Sequence, residues 1–168
     1  DWLPEALQAE GGGKRALDEA TGGSPLTPLL ESLKDSLLDP AWQIRHGAAL
    51  GLRELVSLPN IAASLSAGWL EDLSARLLCV LALDRFGDFG GDDTVAPVRG
   101  TAAQALAVAS CHLPQSARSL LLTQLTGLGR AARNSTEWHI RHGAMLGLKF
   151  CLAALHGRLP HEALSGAR

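Results

Sequence analysis

A chain of 168 residues, 46% hydrophobic but only 4% aromatic and without tyrosine, can form one domain or a short stacked array. Its abundant Leu and Ala suit helices, whereas strands favour β-branched and aromatic residues. Fifteen basic and 17 acidic residues give a net charge of -2 with no long run of either sign, which disfavours a direct grip on nucleic-acid phosphates.

Residues 1–25 are expected to be a loose segment, because Gly11-Gly12-Gly13 and Gly22-Gly23-Ser24-Pro25 bracket a short polar stretch. From residue 26 the pattern turns helical. Leu29, Leu30, Leu33 and Leu37 mark the inward face of a first helix from Pro28 to Leu38. Asp39 can cap the next helix and Pro40 can open it. Over Trp42–Ser57, Ile44, Ala48, Gly51, Leu52 and Leu55 then share one face. A second pair follows: Trp69 to Asp84, a polar Gly-rich loop from Gly87 to Thr94, and a helix from Pro97 to Ser110. The third comprises Ser116 to Leu128 and Glu137 to Leu155. The expected fold is all-α, an α-solenoid of about three HEAT-type helix pairs over 26–157. Its units are 26–58, 69–113 and 114–157, with 158–168 a truncated C-terminal segment.

An internal repeat is the strongest signal. Trp42-Gln-Ile-Arg-His-Gly-Ala-Ala-Leu-Gly-Leu52 returns as Trp138-His-Ile-Arg-His-Gly-Ala-Met-Leu-Gly-Leu148, and a weaker copy places Arg99 where Arg45 and Arg141 stand. Glycine inside a helix costs about 1 kcal/mol against alanine. Gly47, Gly51, Gly143 and Gly147 are therefore expected where neighbouring helices press close. A catalytic group is needed once, whereas a stacking group is needed in every unit. Arg45, Arg99 and Arg141 are accordingly read as satisfying carbonyls or acids between units. Trp42 and Trp138 are read as core or helix-entry packing.

Signals for chemistry are weak. Gly13-Lys14-Arg15 lacks the first Gly and the final Ser or Thr of a phosphate loop, Gly127-Leu-Gly129 follows a helical pattern and not a strand, and Cys111-His112 has no second ligand pair. No catalytic residue, metal or cofactor is expected. Cys79, Cys111 and Cys151 lie in apolar runs and form no disulfide framework. The run Leu77–Leu83 is too short to cross a bilayer, so no membrane partner is expected. With no Met at Asp1, the sequence is expected to be a piece of a longer protein.

The loop after Leu83 occurs once. Asp88, Phe89, Asp92 and Asp93 mix acids with an aromatic in a single insertion, the kind of edge loop that marks a partner-binding side of a repeat array.

Three stretches carry a resemblance: Trp42-Gln-Ile-Arg-His-Gly-Ala-Ala-Leu-Gly-Leu-Arg-Glu54, then Trp69-Leu-Glu-Asp-Leu-Ser-Ala-Arg-Leu-Leu-Cys-Val-Leu-Ala-Leu-Asp-Arg-Phe-Gly-Asp-Phe89, and Val95-Ala-Pro-Val-Arg99. With Glu137-Trp-His-Ile-Arg-His-Gly-Ala144, they resemble the N-terminal HEAT-repeat region of the TATA-binding-protein-associated Snf-type ATPases, over roughly Pro28 to Leu155. The chain departs from that pattern at Gly90-Gly91 and after Gly157. The resemblance implies a nuclear, non-catalytic scaffold for the TATA-binding protein that meets DNA only indirectly, the ATPase motor lying elsewhere in the family. The alternative is a HEAT-type adaptor for another protein.

Overall fold

Leu and Ala at helical spacing give seven helices among the residues that the computed structural model describes, 26–84, 97–132 and 138–157. They are α1 (Thr27–Ser36), α2 (Trp42–Ser57), α3 (Pro59–Ala62), α4 (Ala67–Leu83), α5 (Pro97–His112), α6 (Gln115–Ala131) and α7 (Trp138–Leu155). None of the described residues lies in a strand, and the fold is all-α.

Local chemistry sets several boundaries. The Ser66 hydroxyl accepts the Trp69 N–H at 3.2 Å and caps α4. Prolines open α3 and α5, where a missing N–H breaks no helical bond. After α7 the Gly157 backbone turns to φ 66°, a left-handed stop that glycine adopts freely. Asp39 does not cap α2 directly. Its carboxylate accepts the Ala41 N–H at 2.7 Å, and the helix starts at Trp42. The short α3 has no counterpart in the expected elements, because four residues show no periodicity.

The chain divides into two compact units, Asp1–Ser32 and Leu33–Arg168. In the first, the described residues are the opening turns of α1. In the second, α5 is central and packs against α2, α4 and α7. Helix α7 also meets α4 and α6. Thus α2, α5 and α7 form a row, with α4 against α5 and α6 against α7, and this unit is an α-solenoid. Alanine makes the crowded middle position possible: Ala102, Ala103, Ala105, Ala107 and Ala109 of α5 are all buried. Small side chains let neighbouring helices approach on several sides at once.

Two inward assignments need correction. Leu29 and Ile44 are both exposed. On α2 the buried strip is Ala48, Ala49, Leu52, Arg53 and Val56, because the face turned to α5 is rotated away from Ile44. Arg53 belongs to that face: its guanidinium reaches Gln104 of α5 and Glu54 beside it.

Candidate functional site

The row of helices α2, α5 and α7 brings together the residues at their starts. Helix α4 ends on Asp84, whose N–H bonds back to the Val80 carbonyl, and this end is the hub. Arg45 of α2 donates to the Asp84 carboxylate at 2.7 Å, and also to the Asp39 and Pro40 carbonyls at 2.8 Å each. From the other side, Arg99 of α5 donates to the Asp84 backbone carbonyl, through Nε at 2.9 Å and through its second terminal nitrogen. The last carbonyls of a helix lack intrahelical partners and carry partial negative charge, so a guanidinium fork is well matched there. Arg99 is completely buried.

The arrangement continues into α7. Arg99 Nη1 lies 3.1 Å from Nδ1 of His142. The guanidinium also lies over the Trp138 ring, 5.7 Å from its centre. An arginine can only donate, so His142 Nδ1 is the acceptor and its proton sits on the other nitrogen. In the equivalent place on α2, His46 Nδ1 lies 3.1 Å from the Thr101 hydroxyl of α5. Residues at the starts of α2, α5 and α7 thus form, with the end of α4, a polar ladder between helices: Arg45, Asp84, Arg99, His142.

Electrostatics follow from this geometry. Burial, and then the charge of Arg99, hold the His142 pKa below its ordinary value of 6.5. Burial also lowers that of Arg99, opposed by the charge of Asp84. The unfolded chain therefore protonates at this histidine first as pH falls. Its stabilising contribution is complete above about pH 6.5 and declines as pH drops through that value. The expected result is a lower melting temperature at pH 5.5 than at pH 7.5, with the difference reduced in His142→Gln. Equal pH dependence in the two proteins would refute the assignment. The Asp72 carboxyl, held below 3.8 chiefly by its hydrogen bond to Lys34, loses its contribution only at more acid pH and does not confuse the reading.

Other sequence candidates are distributed differently. A β-carbon at Gly143 would lie 1.9 Å from the Leu81 carbonyl oxygen, and one at Gly147 2.7 Å from a Leu125 methyl. At Gly51 the nearest atom is a Leu33 methyl at 3.1 Å. Gly47 is a correction: nothing described lies within 4 Å of its added carbon, so close packing does not account for it. Trp138 is not core, being 49% exposed, and Trp42 is half-buried beside His46. Arg141 is exposed and outside the ladder. The proposed loop residues Asp88, Phe89, Asp92 and Asp93 lie outside the described residues. Sequence reasoning missed Asp84, His46 and His142. The exact return of Arg-His at the same helix position was the available signal for the histidines.

Burial pushes the Cys151 thiol up to about 11 and raises that of Cys111, so neither is an activated thiolate. Among the described residues no group of three His, Cys, Asp or Glu could hold a metal ion, and no helix is long and apolar enough to cross a membrane.

No protein-family model matches the chain. Individual relatives do. The human TATA-binding protein-associated factor 172 is 39% identical over 150 residues, covering 82% of this chain and 8% of that protein. The factor mot1 of Schizosaccharomyces pombe is 35% identical over 144 residues, 77% of this chain and 7% of that protein. The factor BTAF1 of Arabidopsis thaliana is 41% identical over 143 residues, 82% of this chain and 7% of that protein. The chain thus spans less than a tenth of the length of these relatives. By this similarity across animal, fungal and plant proteins, the chain belongs, as a match to one segment, to the family of the TATA-binding protein-associated factors.

Proposed function

We propose that the chain is a non-catalytic HEAT-type scaffold that binds the TATA-binding protein and serves transcription regulation in the nucleus. The observation that carries this reading is the similarity to relatives that are all named for association with that protein. The polar ladder supports it: its charged groups are engaged in holding units together, as befits a scaffold. The contact side is the insertion Gly87–Thr94, whose Asp88, Asp92 and Asp93 match a basic DNA-binding partner in charge and whose Phe89 offers an apolar anchor. Clustered acids speed encounter with a basic protein more than they add affinity.

The test is direct binding of the purified chain to the TATA-binding protein, followed as association rate against salt. The wild type should bind, and the triple change Asp88→Asn, Asp92→Asn, Asp93→Asn should associate more slowly with a shallower salt dependence. An unchanged rate in the folded triple variant removes the loop from the contact. Absence of binding by the wild type removes the partner itself.

A further inference from the structure

Helices α4 and α6 lie beside the row of α2, α5 and α7 and touch each other only sparsely. A groove of about 380 Å³ opens between them, a size that suits a binding cleft. Helical spacing builds its walls. Glu71, Ala75 and Leu78 share one face of α4, and Ala117, Leu120 and Gln124 share the facing side of α6. Leu120 is 58% exposed. Ser74 lies buried in the floor, but its hydroxyl is spent on the Leu70 carbonyl at 2.7 Å. The groove therefore has apolar walls and a single charge, at Glu71.

That charge is uncompensated. The next carboxylate along, Asp72, is engaged by Lys34 and Arg76. Glu71 is exposed and takes part in no ion pair among the described residues. No basic residue lines the groove. Arg118 of α6 is turned away from it, onto the end of α5, where it donates to the Ser110, Cys111 and Leu113 carbonyls. Glu71 and Leu78 stand seven residues apart, two helical turns or about 10 Å.

We propose that this groove binds an amphipathic helix of another protein, one that carries a Leu-sized side chain and a Lys or Arg seven residues apart on one face, with a small residue between them. Charge complementarity selects the base, which meets Glu71, while the apolar side chain meets Leu78 and the small residue passes over Ala75. The occupant is a helix because both walls are helices, whose backbone groups are already paired. An extended peptide would leave its own N–H and C=O groups without partners there, whereas a helix satisfies them internally. The groove is not a surface on which a further unit stacks, since units pile up through α2, α5 and α7. It opens along the first half of α4, whereas residues 85–96 follow that helix's end, so the inference does not depend on the partner proposed above.

The experiment titrates stapled, fluorescent helical peptides with the whole protein that carries this chain and follows anisotropy. The matched peptide has Leu, Ala and Lys in the stated register, and a second has Glu in place of the Lys. The matched peptide should bind, the second about fivefold more weakly, and Glu71→Lys should invert that order. Ala75→Trp, at an exposed position, fills the groove and should abolish binding of both with the melting temperature unchanged. No binding of the matched peptide, an order indifferent to Glu71→Lys, or binding that survives Ala75→Trp would overturn the proposal. So would displacement of the matched peptide by residues 158–168 or by a second copy of the chain, which would make the chain itself the occupant.

Discussion

Gly143→Ala is expected to destabilise the protein by about 3 kcal/mol, the upper end of what overpacking usually costs. The methyl group would have to occupy space 1.9 Å from the Leu81 carbonyl oxygen and 2.7 Å from its carbon. Those are backbone atoms in α4, so relief requires α7 and α4 to separate and not merely a side chain to turn. Gly147→Ala should cost less. Its near neighbours are methyl groups of Leu125 and Leu81 at 2.7 and 3.1 Å, and side-chain ends can give way. Gly47→Ala should go the other way and stabilise by about 0.4–1 kcal/mol, since an open helical site gains from the loss of glycine's freedom in the unfolded chain. Gly47 and Gly143 sit in the same Arg-His-Gly triplet, so the pair is a controlled comparison. Urea midpoints for the three variants decide it. A Gly143→Ala midpoint at or above the wild type would mean that α7 and α4 are not in close contact there.

That comparison also marks how far sequence carries. Helix content, the position of α2 and the row of second helices were legible because Leu and Ala periodicity and a near-verbatim repeat are local signals. Which face of each helix is covered was less legible. Ile44 and Ala48 share a helical stripe, yet only Ala48 is buried, because the approach direction of α5 is set by tertiary packing. The same limit separates Gly47 from Gly143: identical neighbours in sequence, but only one lies under the end of another helix. The repeated arginines were legible as a class, since a charge recurring in every unit needs recurring partners. The partners themselves were not. Asp84 becomes the hub only because α4 ends where α2 and α5 begin, and nothing in a loop-edge aspartate announces that.

Removing this hub should be the most damaging change to a charged side chain. Asp84→Ala deletes the carboxylate that Arg45 meets at 2.7 Å, in a pair whose side chains are 15% and 8% exposed. Removing one member of a buried ion pair costs about 3–5 kcal/mol, because the other charge is left desolvated. Arg45 keeps the Asp39 and Pro40 carbonyls, which places the expected loss near the lower bound, about 3 kcal/mol. Arg99 keeps the Asp84 backbone carbonyl, which alanine also supplies, but loses the carboxylate 4.0 Å from its Nε. Arg45→Ala alone should also destabilise, and the double variant should cost less than the sum by about 1–3 kcal/mol, since each change removes the same contact. The effect should persist in high salt, which screens exposed pairs far more than buried ones. Simple additivity in the cycle would show that the two residues act separately. Binding measurements on the same variant then distinguish two roles. Asp84 closes α4 immediately before residues 85–96, so, if the proposed contact with the TATA-binding protein is made, a folded Asp84→Ala protein that has lost stability but associates at the wild-type rate would confine the ladder to holding helices together. A slowed association, at temperatures well below its melting point, would make Asp84 a positioning residue for the loop as well.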